Sequence, residues 1–137
     1  MSEIDRLTYL KFALRLFAVV FTFGFYPLTV YWPSGWAWHA GQSEYLQMMI
    51  AIYATLGVFL WLASRDPERN VSLISFTIWS SIVHAATMAV QSAANAQHSG
   101  HLYGDVPALF VVAAVLAWLS PQAVTLGFAK NAARLSH

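Results

Sequence analysis

Four long apolar segments constrain the fold of this chain more than any other feature of its sequence. We place the corresponding spans at about 12–33, 44–64, 68–95 and 106–127. Each is near or above the roughly 20 residues that a helix needs to cross about 30 Å of hydrocarbon. Helices satisfy their own backbone hydrogen bonds in lipid, and the alternation expected of membrane β-strands is absent. The sequence therefore predicts an all-α, polytopic membrane protein, a single four-transmembrane-helix bundle.

The composition agrees with a lipid environment. Of the 137 residues, 58% are hydrophobic and 9% are charged, whereas an average soluble domain has about 45–50% apolar and about 25% charged residues. A soluble chain of this length leaves too much of its surface in water to hide so many apolar side chains. We therefore expect the lipid bilayer to surround the protein, and we expect no nucleic acid among its partners.

Several classes of enzyme are excluded by residue types and motifs that the sequence does not contain. The chain has no cysteine, which excludes thiol redox chemistry, iron–sulfur ligation and thiolate zinc sites. It also lacks the G-x-S-x-G, H-E-x-x-H and Walker patterns of hydrolases, zinc proteases and nucleotide-binding proteins. The sequence thus favours a protein that is not an enzyme, and no catalytic residue is assigned.

The distribution of positive charge predicts the orientation in the membrane. All seven Lys and Arg residues fall in the N-terminal segment, the second connection or the C-terminal tail: Arg6, Lys11, Arg15, Arg65, Arg69, Lys130 and Arg134. Four spans put these three regions on one side of the membrane, and the first and third connections contain no Lys or Arg. The positive-inside rule therefore predicts that both termini are cytoplasmic.

Polar residues recur every three or four positions along the third span, which places them on one face of a helix. They are Thr77, Ser80, His84, Thr87, Gln91, Asn95 and His98. Because polar groups are expensive in hydrocarbon, we expect this face to point into the bundle. The stripe either holds helices together by hydrogen bonds or lines a ligand pocket or a water-filled pathway, and the sequence leaves both interpretations open.

His84 is the centre of the predicted site, because an ionisable residue near the middle of a span is a functional candidate. A charged imidazolium is costly at that depth, so we expect a neutral ring that donates one hydrogen bond and accepts another. Tyr26 and Tyr53 are its predicted partners. The candidate ligand-binding residues are His84, Ser80, Ser81, Thr87, Gln91, Tyr26 and Tyr53.

A second polar cluster is predicted at the membrane face opposite the positive charges. Its members are His39, Glu44, His98, His101 and Asp105. Imidazole and carboxylate groups suit zinc, copper(II) or iron, so the cluster is a candidate metal site. The alternative is a solvated loop in which Asp105 caps the fourth helix. Haem bound by two histidines of one chain is not favoured, since only His84 is deep, although two copies of the chain would supply a pair.

Two helix boundaries are predicted from local sequence patterns. Asp66-Pro67-Glu68 has the order of an N-cap, a first-turn proline and a first-turn acid, which predicts that the third helix begins near Pro67. Ser120-Pro121 either kinks the fourth helix or ends it, because proline lacks a backbone N–H group.

Several short runs carry a family resemblance. They are IYATLGVFLWL at 52–62, Arg65-Asp66-Pro67, Leu73-Ile74 and WSSIVHA at 79–85. The first three resemble small bacterial four-helix membrane proteins of the broad DoxX-like type, and the last is similar to a subgroup of uncharacterised bacterial membrane proteins of about this length. The resemblance implies a four-helix bundle in a bacterial inner membrane. DoxX-like proteins are linked to quinone-associated redox complexes, so it also implies a quinone-type ligand.

Two functions remain open at this point. The first is a non-enzymatic membrane subunit, or a binder of a hydrophobic quinone-like or lipid ligand around His84, acting alone, with another membrane protein or with a second copy of the chain. The second is a metal- or haem-dependent redox component that uses His84 or the cluster of His39, His98 and His101. We favour the first because the metal and haem ligand sets are incomplete, and we assign no cofactor.

Overall fold

The computed structural model describes residues 1–39, 41 and 43–125. Within them there is no β-strand, and four helical regions are long and apolar enough to cross a membrane. They are α1 (Glu3–Tyr31), α2 (Glu44–Ala63), α3 (Val71–Ala94) and the region Ala96–Leu119, whose α-helical part is α4 (Asp105–Leu119). The prediction of an all-α, polytopic membrane protein with four spanning helices is confirmed.

Local hydrogen bonds define the start of α1 and link α1 to the end of α2. Helix α1 starts with a capping box, in which the Ser2 hydroxyl accepts from the backbone N–H of Asp5 and the Asp5 carboxylate accepts in return. Arg15 Nε donates to Ser64 Oγ at 3.3 Å, and Ser64 directly follows α2. The N-terminal half of α1 and the connection after α2 therefore lie in the same half of the bundle, whose end is here named the basic end.

The opposite end contains the first and third connections and is here named the histidine end. A short helix, Pro33–Trp36, follows α1, and a 3₁₀ segment, Ala96–Leu102, precedes α4. His39, His98 and His101 lie in these connections. Among the described residues, the basic side chains and these three histidines therefore lie at opposite ends of the bundle.

The helices do not surround a closed centre. Helix α1 packs against α2 and α4, and α3 packs along α4, but α2 and α3 barely touch although they are consecutive in sequence. A continuous apolar core fills the half nearer the basic end, where Leu14, Leu60, Ile78 and Leu116 are completely or almost completely buried. The arrangement is therefore a bundle with one open side, between α2 and α3.

Close packing between α1 and α2 depends on Gly57. A Cβ atom built on Gly57 would lie 2.7 Å from the backbone oxygen of Ala18 and would also meet Thr22. Opposite this glycine, α1 contains one turn of π-helix, Val20–Gly24. Small residues let membrane helices approach closely, and a π-turn changes which side chains of a helix face its neighbour. Together these features determine which aromatic residues of α1 reach α2.

Two predicted helix starts are corrected by the structure. Helix α3 begins at Val71 rather than near Pro67, because Asn70 (φ −110°, ψ 25°) interrupts the helical conformation. Asp66 instead closes a separate turn, in which its Oδ1 accepts from the Arg69 backbone N–H at 3.3 Å. The cap of α4 is Gly104 rather than Asp105, whose side chain pairs with His101.

The alternatives for Pro121 are resolved in favour of a helix end. Helix α4 stops at Leu119, and Ser120 adopts φ −133° and ψ 68°, which breaks the helix. A residue before proline is disfavoured in the helical conformation, and residues 121–125 form a separate helical turn. Positions 126 and 127 of the predicted fourth span, together with Lys130 and Arg134, lie outside the described residues.

Candidate functional site

A groove of about 840 Å³ lies on the open side of the bundle, in the half nearer the histidine end. Helices α2 and α3 form its two walls, and residues of α1, α4 and the first connection form its base. Its aromatic lining consists of Phe25, Trp36, Trp38, Tyr45 and Tyr53. Its polar lining includes Thr29, His39, Ser43, Ser80, His84, Thr87, Gln91 and Asp105. The site is thus a mostly apolar cleft with a few polar groups, as small-molecule sites commonly are.

A hydrogen bond crosses the groove between its two walls. Tyr53 Oη on α2 lies 3.0 Å from His84 Nδ1 on α3, and both side chains are half-buried. One group donates and the other accepts, depending on the tautomer of the ring. The Nε2 atom of His84 has no hydrogen-bond partner among the described residues. Of the two predicted partners of His84, Tyr53 is confirmed, whereas Tyr26 makes no hydrogen bond to His84 among the described residues.

Aromatic contacts from α1 hold Tyr53 in place. The ring of Phe25 stacks on Tyr53 with centroids 4.6 Å apart and planes inclined by 27°, and Phe21 meets the same ring edge-on at 5.5 Å. Phe21 lies within the π-turn of α1 and Phe25 directly follows it. Sequence reasoning missed both residues. The available signal was their spacing of four, which places two aromatic rings on one face of the first span.

A second polar pair lies at the histidine end of the groove. His101 Nδ1 is 2.8 Å from Asp105 Oδ2, and the two side chains are 1% and 8% exposed. Trp38 stacks on the His101 ring with centroids 4.3 Å apart and planes inclined by 15°. Asp105 also lines the groove. The aspartate is therefore a buried member of the site and not a simple helix cap.

The predicted metal ligands are not brought together. Among the described residues, no group of three His, Asp or Glu side chains is close enough to hold a metal ion. The rings of His98 and His101 are 6.3 Å apart, those of His39 and His98 are 6.5 Å apart, and Glu44 lies in the exposed first turn of α2. The short bond to Asp105 occupies the Nδ1 atom of His101.

Comparison with known proteins identifies the family. Residues 6–136 match a family model described as a family of unknown function, DUF6632. The chain belongs to the DUF6632 family. No curated protein and no solved structure matches it. The DoxX-like resemblance, and the bacterial origin that it implies, remain predictions for this DUF6632 protein.

The structure places most of the predicted ligand residues of this DUF6632 protein in the groove. Ser80, His84, Thr87 and Gln91 of α3 and Tyr53 of α2 all line it. Ser81 is 3% exposed and packs on the other side of α3, outside the groove lining. Tyr26 is 57% exposed on α1 and is likewise absent from the lining. Four of the six residues proposed beside His84 are therefore gathered around it.

Four residues of the polar stripe, Ser80, His84, Thr87 and Gln91, line the open groove instead of pointing into the bundle as the sequence predicts. Thr77, the first residue of the stripe, lies on the buried face of α3. The buried face of α3 is Ile74, Thr77, Ile78, Ser81, Ala85, Met88 and Ser92, whereas Thr87 and Gln91 are exposed. Small side chains such as Ala85 and Ser81 allow α3 to pack closely on α4. Because this face of α3 packs on α4, the adjacent polar residues face the open side between α2 and α3.

Proposed function

We propose that this DUF6632 protein is a non-enzymatic membrane protein that binds a lipid-soluble ligand of the quinone class in the groove between α2 and α3. The observation that carries the proposal is the Tyr53–His84 hydrogen bond on the walls of that groove. Ligand sites typically have volumes of roughly 300–1,000 Å³, apolar walls and a few convergent polar groups. The groove has this combination at about 840 Å³.

The lining favours a quinone over a phospholipid. Phe25, Trp36 and Tyr53 offer flat aromatic surfaces to a planar ring, and the Tyr53–His84 pair offers hydrogen bonds to its oxygens. The lining contains no Lys or Arg among the described residues, so it lacks the cations that would neutralise a phosphate headgroup. Asp105 adds an acidic group, which disfavours an anion further.

The open side offers a route for an isoprenoid or alkyl tail. Val83 lines the groove and is 61% exposed, and Thr87 and Gln91 beside it are exposed too. A tail that leaves the groove between α2 and α3 enters the lipid directly, at no cost in buried polar groups. If the basic end is cytoplasmic, as the positive-inside rule predicts, the groove lies in the outer leaflet of the bacterial inner membrane that we propose for this protein.

The proposal is tested by direct binding. The purified protein in phosphatidylcholine nanodiscs is titrated with decylubiquinone and, separately, with decylubiquinol, and empty nanodiscs provide the baseline. We expect saturable binding that is weakened about tenfold or more in Tyr53→Phe and His84→Leu, because each variant removes a partner of the half-buried hydrogen bond on the groove wall. His84→Gln, which retains a donor and an acceptor, should bind with intermediate affinity.

Tyr26→Phe is the matched control, because Tyr26 lies outside the groove lining. It should bind like the wild type. Binding no greater than in empty nanodiscs for both ligand forms would overturn the proposal, as would unchanged affinity in both Tyr53→Phe and His84→Leu. A Soret band or stoichiometric iron or copper in the purified protein would favour the redox alternative instead.

A further inference from the structure

The basic end contains a guanidinium group that the protein leaves mostly unpaired. Arg15 Nε donates to Ser64 Oγ at 3.3 Å, and the Ser64 hydroxyl in turn donates to the backbone oxygen of Trp61 at 2.7 Å. A guanidinium carries five N–H donors, and the other four of Arg15 have no hydrogen-bond partner among the described residues. Arg15 is exposed, whereas Ser64 is 1% exposed. The buried serine thus holds one edge of the guanidinium and leaves the rest free for a ligand.

Two further cations adjoin Arg15 and are unpaired as well. Lys11 lies one helical turn before Arg15 on the same face of α1, and Arg65 directly follows the serine that Arg15 contacts. Among the described residues, none of these three cations forms an ion pair, because Asp66, the first acid of the connection, pairs with Arg69 at 3.2 Å. The junction of α1 and α2 at the basic end therefore has an excess of positive charge.

The length of α2 places this junction at the boundary of the hydrocarbon. Helix α2 (Glu44–Ala63) has 20 residues, which at about 1.5 Å each cover about 30 Å, the thickness of the hydrocarbon core. Ser64 directly follows α2, so the guanidinium bonded to it lies at the level where the lipid headgroups begin. Within one turn of these polar residues, the side chains of Phe12, Leu16 and Trp61 are exposed. They offer an apolar surface to acyl chains beside the cations.

We propose that this junction binds the headgroup of an anionic phospholipid, with Arg15 in contact with the phosphate. A guanidinium group binds phosphate through paired N–H groups, and each basic side chain near the membrane surface adds to the attraction of an anionic lipid. A lipid is favoured over a soluble phosphate because exposed apolar side chains adjoin the cations. The site lies outside the groove, whose described lining has no Lys or Arg, and it is independent of the function proposed there.

The test compares two lipids that share a phosphodiester group and the same acyl chains. Dioleoyl phosphatidylglycerol has a net negative charge, whereas dioleoyl phosphatidylcholine carries a quaternary ammonium group that the cations repel. Each lipid is titrated into the purified protein in dodecyl maltoside, and native mass spectrometry measures the bound fraction. We expect phosphatidylglycerol to bind about fivefold or more tightly than phosphatidylcholine. Its binding should also raise the melting temperature, because a ligand of the folded state stabilises that state.

Matched variants distinguish a site from a general attraction to the basic end. Arg15→Gln and Arg69→Gln each remove one positive charge from that end. The first should weaken phosphatidylglycerol binding about fivefold or more, and the second by less than about twofold, because Arg69 already pairs with Asp66. Ser64→Ala keeps every charge but releases the guanidinium, and it should weaken binding about two- to threefold. An effect of Ser64→Ala shows that the position of Arg15 matters in addition to its charge.

Three outcomes would overturn the lipid site. The first is equal affinity of the wild type for the two lipids, a comparison that does not depend on the folding of any variant. The second is equal weakening in Arg15→Gln and Arg69→Gln, which would show a diffuse attraction to the basic end. The third is displacement of the bound lipid by millimolar glycerol 1-phosphate, which has the phosphate without the acyl chains and would identify a soluble phosphate as the occupant.

Discussion

Tyr53 Oη and His84 Nδ1 lie 3.0 Å apart on two helices that are consecutive in sequence but barely in contact. The hydrogen bond between them spans the one side of the described bundle that packing leaves open. It has a structural consequence, because it limits how far α2 and α3 separate. It also has a functional one, because it places a donor and an acceptor on the wall of an otherwise apolar groove.

The energy of the Tyr53–His84 bond is measurable by a double-mutant cycle. We expect Tyr53→Phe and His84→Leu each to cost about 1 kcal/mol or less in stability, with a coupling of about 0.6 kcal/mol, as is average for hydrogen bonds between membrane helices. Thermal unfolding in detergent of the two single variants and the double variant gives the coupling. Strictly additive effects would show that the bond does not form.

The orientation of the bundle is accessible to reporter fusions. Because all Lys and Arg residues outside the C-terminal tail lie at the basic end, a reporter after Arg69 should be cytoplasmic and one after Gly100 should be external. An external signal at Arg69 together with a cytoplasmic signal at Gly100 would reverse the topology and place the groove in the inner leaflet.

Cysteine labelling tests which face of α3 lines the groove, and the chain has no cysteine of its own to interfere. We expect Thr87→Cys and Gln91→Cys to react with a lipid-soluble maleimide, since both positions are exposed. Ser92→Cys, at a position 2% exposed, should react slowly. Decylubiquinol should protect positions 87 and 91.

Val90→Cys is the control for the labelling experiment. Val90 is 71% exposed but does not line the groove. It should therefore be labelled at the same rate with and without the quinol. Fast labelling at position 92 with slow labelling at 87 and 91 would show that α3 is rotated from the orientation described here.

Replacing Gly57 tests the close approach of α1 and α2. In Gly57→Ala the new methyl group would meet the backbone of Ala18 at 2.7 Å, and we expect a loss of about 1–3 kcal/mol in stability, as is typical of overpacking. Gly24→Ala is the matched control, because its new methyl group would meet only the Val20 side chain, at 3.4 Å. Melting temperatures in detergent should fall for the first variant alone.

The buried His101–Asp105 pair should contribute much more to stability than the exposed ion pair of Asp66 and Arg69. Asp105→Leu leaves His101 buried without its partner, and we expect a loss of about 3 kcal/mol. Asp66→Asn breaks the exposed contact of Asp66 with Arg69 and should cost less than about 1 kcal/mol. Equal shifts in melting temperature for the two variants would show that the buried pair is not formed.

The sequence by itself determined the number of spans, their helical form and the segregation of positive charge. Each of these properties depends on local composition, because hydrocarbon acts on every segment separately and penalises any unpaired backbone or charged group. The same reasoning identified His84 as the deepest ionisable residue and named Tyr26 and Tyr53 as its partners, of which only Tyr53 pairs with it. A polar residue in an apolar span is conspicuous without any knowledge of its neighbours.

The tertiary structure alone decided what those residues face. Whether α3 turns Ser81 or His84 towards α4 depends on how small side chains fit between helices, and the separation of α2 from α3 depends on the packing of both against other partners. The π-turn of α1 and the pairing of His101 with Asp105 beneath Trp38 are decided in the same way. Such contacts join residues that are far apart in sequence. The fit of side chains between two helices leaves no periodic pattern in the sequence of either helix.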